Sequence, residues 1–166
     1  MMRLLILAAA LALSACGLRP MYAGGGAGAV AGSLRSVQVA AIPGRAGWLM
    51  HKALVQRLGE AQDGGSAYRL EVELDDNITG FGIRGDSAAT RERRSLRARY
   101  RLVDLATGAV VLDATAGSDA GIDVVSSQDA TVAAEQTALE RLADVVADQM
   151  VGRLAMYVTH APPPGQ

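Results

Sequence analysis

Tyr68-Arg69-Leu70-Glu71-Val72-Glu73-Leu74-Asp75 is the stretch that decides the fold. Apolar and charged residues alternate along it without a break, as they do in a β-strand that buries one face and exposes the other to solvent. We therefore predict a strand over residues 67–75. Such a strand needs a layer of apolar side chains on one side of its sheet and water on the other.

Two further strands are predicted after it. Residues 90–104 alternate in the same way, and from Leu96 onward the apolar residues point one way and the arginines the other. Thr107-Gly108 is typical of a tight hairpin turn, and a third strand follows over residues 109–116. Residues 77–88 contain several glycines and are predicted to be a connection. Because the connections are short, the three strands are expected to form an antiparallel meander.

Two segments have the apolar spacing of helices. The first covers residues 45–58 and follows a short strand predicted over 36–42. The second begins near Gln128 or Ala130, after a loop through Gly121, and continues to about residue 157. The element order β-α-β-β-β-α predicts an α+β two-layer sandwich. Its sheet is roughly four-stranded and mostly antiparallel, with both helices on one face.

The chain divides into four parts on composition. Its 166 residues, half of them hydrophobic, suit one folded domain, which we place at 34–159. Residues 1–15 are predicted to be a signal peptide, 16–33 a flexible tether rich in Gly and Ala, and 160–166 a disordered proline-rich tail. The formal net charge of −1 gives no reason to expect a nucleic-acid partner.

The leader ends at the only cysteine, Cys16. Arg3 precedes an apolar run over 4–13 that is too short for the roughly 20 residues of a membrane-spanning helix. A plain signal peptide would leave Cys16 as an unpaired thiol in an oxidising compartment, which is unusual. Leu13-Ser14-Ala15-Cys16 instead resembles the lipobox of bacterial lipoproteins.

The lipobox resemblance implies that the chain is cut before Cys16 and that acyl chains, palmitate among them, are attached at that residue. Several acyl chains make the anchoring effectively permanent, because each buried CH₂ contributes about 0.8 kcal/mol. Gly17 stands where a retained inner-membrane lipoprotein has Asp. We therefore expect the cell outer membrane, on its periplasmic side.

A family resemblance extends this reading. Cys16-Gly17-Leu18-Arg19-Pro20-Met21-Tyr22 is similar to the Cys-Gly-Phe-Arg-Pro-Leu-Tyr start of the lipopolysaccharide-assembly lipoproteins of the LptE family. The hairpin Asp104-Leu105-Ala106-Thr107-Gly108 and the helix start Thr131-Val132-Ala133-Ala134-Glu135-Gln136 resemble the same family. Leu18 in place of Phe is a conservative departure from the family pattern.

The family resemblance implies a non-enzymatic protein of Gram-negative envelope biogenesis. Members of the family sit in the lumen of the outer-membrane β-barrel LptD as a plug and assembly factor. They take part in inserting lipopolysaccharide into the outer leaflet and bind lipopolysaccharide. The alternative is an outer-membrane lipoprotein facing the periplasm that binds or carries an anionic ligand without a barrel partner.

The candidate contact residues form an arginine stripe on the strand over 90–104. Guanidinium groups suit the phosphates of lipopolysaccharide and the carboxylates of a barrel lumen, because they can bind either one in bidentate fashion. The stripe consists of Arg91, Arg93, Arg97, Arg99 and Arg101, which share one face of the strand, and the nearby Arg94 is a further candidate.

The stripe has a second interpretation as a ladder of cross-strand ion pairs. Glu71, Glu73 and Asp75 lie on the solvent face of the neighbouring strand and could pair with it. These carboxylates are fewer than the arginines, so a surplus of positive charge is expected near Arg91–Arg94. Both interpretations remain open at this point.

Catalytic and metal-binding motifs give no competing function. The two histidines, His51 and His160, lie in a helix and beside the tail, far from any nucleophile that would make a hydrolase. The pair Asp75-Asp76 could hold a cation, but a strand end entering a loop explains it better. We therefore expect no catalytic residue, no metal and no cofactor.

Overall fold

The computed structural model describes residues 32, 34–59, 65–83, 89–125 and 127–160, and for residues 83, 89, 90, 159 and 160 it describes the backbone only. The predicted signal peptide, Cys16 and almost all of the tether lie outside these residues, as do residues 161–166. The second helix extends to His160, the residue at which the tail was predicted to begin.

Four strands form one mixed sheet in the order β1-β2-β3-β4. The strands are β1 (Val37–Val39), β2 (Tyr68–Ile83), β3 (Ala89–Asp104) and β4 (Val110–Asp123). β1 runs parallel to β2, and the other two pairings are antiparallel. The predicted meander and the α+β class are confirmed.

The turn between β3 and β4 follows from its own residues. Asp104 Oδ1 accepts hydrogen bonds from the backbone N–H groups of Ala106 (2.8 Å) and Thr107 (2.9 Å). These bonds lower the pKa of Asp104. Gly108 then adopts φ +71°, a left-handed conformation that glycine accepts without steric cost. The hairpin predicted from Thr107-Gly108 is therefore confirmed.

Two helices, α1 (Gly44–Leu58) and α2 (Gln128–His160), form the second layer on one face of the sheet. α1 contacts β1, the start of β2 and α2, whereas α2 packs along β3 and β4 and against α1. Gly47 of α1 packs against the segment that joins β1 to the helix, and this approach requires a residue without a side chain. A Cβ atom there would lie 2.4 Å from the carbonyl oxygen of Ile42. Neither helix is long and apolar enough to cross a membrane.

The core lies between the two layers. The predicted apolar stripe of α2 is buried from Leu139 to Leu154, and it meets the alternate residues Leu70, Leu96 and Leu102 of β2 and β3. Burying one such side chain contributes about 1.5–3 kcal/mol. The face of the sheet opposite the helices, called the open face below, carries the charged residues of the same strands.

Three element bounds differ from the prediction. β1 is only three residues long, with one further bond from the Ala40 N–H to the Leu70 carbonyl (2.9 Å). β4 continues past residue 116 to Asp123, through the predicted loop at Gly121. β2 continues through most of the predicted connection to Ile83. The helical and strand bounds elsewhere agree with the prediction to within a few residues.

The second half of β2 could not be predicted from an alternating pattern, because no helix among the described residues covers it. Every residue from Asp75 to Gly82 is exposed, so alternation of apolar and charged residues is not required there. The segment is a strand because it forms a ladder with β3, in which Ile78 stands opposite Arg94 and Phe81 opposite Arg91. We call β2 residues 76–83 and the segments of β3 and β4 beside them the distal half of the sheet, and the remainder the proximal half.

Candidate functional site

β3 sends its arginines to both faces of the sheet. Side chains alternate along a strand, so Arg91, Arg93, Arg97, Arg99 and Arg101 share the open face. Arg94 has the parity of the buried Leu96 and lies on the helix face. The five arginines of the predicted stripe thus share one face, and Arg94, predicted only to lie nearby, is on the other.

Most of the open-face arginines pair with aspartates of β4. The Nη2 atoms of Arg97 and Arg99 lie 2.9 Å from carboxylate oxygens of Asp119 and Asp113, respectively. Arg91 Nε lies 3.1 Å from Asp123 Oδ1. From the sequence, partners are predicted on β2 alone. Asp113, Asp119 and Asp123 lie at odd-numbered positions and share the open face; Asp119 and Asp123 fall beyond residue 116, where the strand was predicted to end, whereas Asp113 falls within the predicted strand.

Carboxylates of β2 supply the rest of the ladder. Arg101 Nη2 lies 3.3 Å from Glu73 Oε1 and 3.6 Å from Glu71 Oε2. Glu71 also pairs with Arg69 of its own strand at 3.1 Å. Among the described residues of the open face, six carboxylates balance six arginines, which are Arg69 and the five of the stripe. Within this balanced face, the predicted surplus of positive charge near Arg91–Arg94 is limited to Arg93. The carboxylates are Glu71, Glu73, Asp75, Asp113, Asp119 and Asp123.

The ion pairs change how their members titrate. Hydrogen bonds from Arg99 lower the pKa of Asp113, and bonds from Ser95 and Arg97 lower the pKa of Asp119. Arg99 has its pKa raised, chiefly by the hydrogen bond to Asp113. All of these groups stay ionised at neutral pH. Because these groups are exposed to solvent, water and salt screen each pair, and its contribution to stability is small.

Arg94 links three elements on the helix face. Its Nε and Nη2 atoms bind both oxygens of Asp76 in β2 at 2.8 and 2.6 Å. Its Nη1 donates to the carbonyl oxygen of Glu135 in α2 at 2.8 Å. The side chain is only 12% exposed, and the hydrogen bond to Asp76 raises the pKa of Arg94. Arg94 therefore fastens α2 to the sheet.

Arg93 differs from the rest of the stripe. Its guanidinium carbon lies 5.6 Å from the centre of the Phe81 ring, a cation–π contact, and it has no ion pair among the described residues. Phe81 is 41% exposed. Arg91, two residues away, pairs with Asp123 in an exposed position. These three residues, Arg91, Arg93 and Phe81, form what we call the distal patch.

A groove of about 760 Å³ lies across the middle of the sheet. Arg97 crosses it over Gly117, where a Cβ atom would lie 2.4 Å from Arg97 Cδ. Gln149 of α2 closes one side by accepting a hydrogen bond from the Gly117 N–H at 3.2 Å. The groove is lined by Glu73, Leu74, Asp75, Arg97, Ala98, Arg99, Thr115, Ala116, Gly117 and Gln149. Because Arg97 and Arg99 already hold carboxylates, the groove offers less free positive charge than the distal patch.

The remaining sequence candidates are not brought together. Asp75 faces the open side, whereas Asp76 turns to the helix side and binds Arg94, so the two carboxylates do not share a cation. His51 lies half-buried in α1 and His160 ends α2. Within the residues that the structure describes, no group of three His, Cys, Asp or Glu side chains could hold a metal ion.

The comparison with protein families gives one match. The model of the family LptE, described as lipopolysaccharide-assembly, matches residues 34–154, which is more than half of the chain. The chain belongs to the LptE family. The matched segment begins at Leu34 and therefore leaves out the resemblance at 16–22. The folded domain shows the family independently of the lipidation motif.

Three solved structures with the same fold are described as lipoproteins. A candidate lipoprotein from Caulobacter crescentus CB15 is 27% identical, with a TM-score of 0.68 over 82% of this chain and 99% of that one. Lipoprotein B from Nitrosomonas europaea is 13% identical, with a TM-score of 0.57 over 75% and 84%. A minor lipoprotein from Acinetobacter baumannii is 12% identical, with a TM-score of 0.55 over 74% and 90%. At such low identity, the last two show the fold alone. A comparison with curated proteins found no match.

Proposed function

We propose that this LptE-family protein is an outer-membrane lipoprotein that plugs the LptD barrel and assists its assembly. Acyl chains on Cys16 anchor it on the periplasmic side, and it takes part in placing lipopolysaccharide in the outer leaflet. The observation that carries the proposal is the family match over 34–154, which spans nearly the whole described domain. The lipobox and the sequence 16–22 add the anchor.

The open face suits a plug in a water-filled barrel. Its arginines and carboxylates are balanced and mostly paired with one another, so the surface is polar without a strong net charge. The lumen of an outer-membrane barrel is itself polar. A sheet face of paired charges can contact such a wall through hydrogen bonds and water. Most of the charges that this contact covers already have a partner on the same face, which lowers the cost of burying them.

The distal patch is the part of the stripe that we propose for lipopolysaccharide or barrel contact. Arg93 forms no ion pair among the described residues, although its charge helps to lower the pKa of Asp119, so it can bind a phosphate without breaking a direct pair. Arg91 gives up only an exposed pair, and Phe81 offers an apolar ring beside both cations. A cation next to an aromatic ring fits an amphipathic anion such as lipid A.

The rest of the predicted stripe has a smaller share in this contact. Arg97, Arg99 and Arg101 would have to leave carboxylates at 2.9–3.3 Å. Arg94 would have to leave Asp76 and α2. We therefore assign these four residues to the structure of the domain and the distal patch to the ligand.

Co-purification with LptD tests the proposal. The full chain, tagged at its C-terminus, is expressed with LptD and extracted in detergent, and LptD is expected to purify with it in equal amount. A Cys16→Ala variant should lose membrane association while its domain folds normally by circular dichroism. If the wild-type chain stays in the membrane and binds lipopolysaccharide but never holds LptD, the alternative of a lipoprotein without a barrel partner is correct.

A further inference from the structure

One edge of the sheet has no neighbouring strand along most of its length among the described residues. Within these residues, β1 pairs with β2 at Tyr68, Arg69 and Leu70. From Glu71 to Phe81, no described strand lies beside β2 on that side, and α2 packs over β3 and β4 instead. We call this stretch the β2 edge. A long strand edge with unpaired backbone groups is a template for pairing with another strand.

The direction of the free backbone groups follows from the last bond to β1. The Leu70 carbonyl points away from β3, since it accepts the Ala40 N–H at 2.9 Å. In an antiparallel ladder, alternate residues direct both N–H and C=O to the same side. Val72, Leu74 and Ile78 therefore present their N–H and C=O groups at the β2 edge.

The opposite edge of the sheet is better protected. β4 lies under α2, and the Gly117 N–H donates to the side chain of Gln149 at 3.2 Å. The β2 edge has no such cover among the described residues. Lysine and proline at an edge strand hinder its pairing with another strand, and the β2 edge has neither residue between Glu71 and Ile83.

The charges along the β2 edge are incompletely matched. Arg97 stands opposite Asp75 but binds Asp119 of β4, and Arg99 stands opposite Glu73 but binds Asp113. Asp75 is left without an ion pair among the described residues. Glu73 keeps only Arg101 at 3.3 Å and is 71% exposed. The open face of the sheet therefore carries the incompletely paired carboxylates of Glu73 and Asp75 along the β2 edge.

We propose that the β2 edge receives an extended segment of a partner protein with basic side chains at alternate positions. Its backbone would bond to Val72, Leu74 and Ile78, and its basic side chains would meet Glu73 and Asp75 on the open face. A second copy of this chain does not fit, because two β2 edges would place carboxylates against carboxylates. The proposal does not depend on LptD.

The probe is an end-blocked eight-residue peptide that alternates Arg and Val, and the matched control alternates Glu and Val. Both are added to the full lipidated chain in detergent, and backbone hydrogen exchange is followed by NMR. We expect the basic peptide to slow exchange at Val72, Leu74 and Ile78 at least tenfold. The acidic peptide should leave these amides unchanged.

Two variants locate the effect. Glu73→Arg with Asp75→Arg should weaken binding of the basic peptide at least tenfold, whereas Asp123→Arg, on the far side of the open face, should leave it unchanged. Ile78→Pro removes one outward N–H at an exposed edge position and should also weaken binding.

Several results would overturn the proposal. Equal binding of both peptides would remove the charge argument. Protection of β4 amides in place of those of β2 would place the site elsewhere. Slow exchange at the β2 edge without peptide would mean that another segment already occupies the edge. That segment would be a second copy of the chain if the protection depends on protein concentration, and residues 17–31 if it does not.

Discussion

The proximal and distal halves of the sheet are held together in different ways. In the proximal half, Leu70 is completely buried beneath the helical layer. In the distal half, Ile78 has the same parity on the same strand but is 38% exposed, and the strand is held by its ladder to β3 and by the Arg94–Asp76 pair. The first half of β2 is therefore held by the core, whereas its second half is held by backbone pairing and one ion pair. The distal half presents residues that are free to contact a partner.

The largest effect should come from truncating the same strand in the two halves. Leu70→Ala is expected to lower the free energy of unfolding by about 2–5 kcal/mol, because it empties a fully packed site. Ile78→Ala should lower it by less than about 1 kcal/mol, since the side chain is already partly in water. Denaturant titrations of both variants measure the difference. Equal losses would erase the distinction between the halves.

The second effect compares two arginines of β3. Arg94→Ala should lower the free energy of unfolding by about 1–3 kcal/mol, because it leaves Asp76 and the Glu135 carbonyl without their partner. Arg99→Ala should lower the free energy of unfolding by clearly less than Arg94→Ala does, since the pair of Arg99 with Asp113 is solvent-exposed. Thermal unfolding of the two variants at low salt checks the order. A larger loss for Arg99→Ala would contradict the structural role given to Arg94.

The smallest expected effect is a loss of folding stability at acidic pH. Hydrogen bonds from Arg99 hold the pKa of Asp113 below its ordinary value of 3.8. A carboxylate with a lowered folded-state pKa stabilises the fold above the unfolded-state pKa, and that stability is lost as pH falls through the folded-state value. Unfolding temperature should therefore decline at acidic pH, and less steeply in Asp113→Asn. An equally steep decline in both proteins would show that the pair does not contribute.

The proximal half could be predicted from the sequence, and the distal half could not. Strict alternation from Tyr68 to Asp75 and the apolar stripe from Leu139 to Leu154 reflect burial, which selects residue types directly. Beyond Asp75, neither face of β2 is buried, so a strand and a connecting loop would have the same types of residue there. The predicted connection at 77–83 was wrong for that reason.

The candidate site was predictable in composition but not in geometry. The arginines of β3 were evident, yet two of their partners on β4, Asp119 and Asp123, depended on a strand that continues to Asp123. Arg94 was placed near the stripe and not in it, but its bonds to Asp76 and to α2 depend on tertiary packing, which the sequence pattern does not show. The contact between Arg93 and Phe81 depends on the register of β2 and β3, which a predicted connection at 77–88 concealed.

Charge reversal in the distal patch tests the central claim most directly. Arg91→Glu with Arg93→Glu is compared with Arg97→Glu and Arg99→Glu, which are matched in charge change and in face. Binding of purified lipopolysaccharide and retention of LptD are measured on the full chain, with unfolding temperature as the check on folding. We predict that the first pair of substitutions weakens binding at least tenfold with the domain still folded, and that the second pair weakens it less. Unchanged lipopolysaccharide and LptD binding by the folded Arg91→Glu, Arg93→Glu protein would contradict the account.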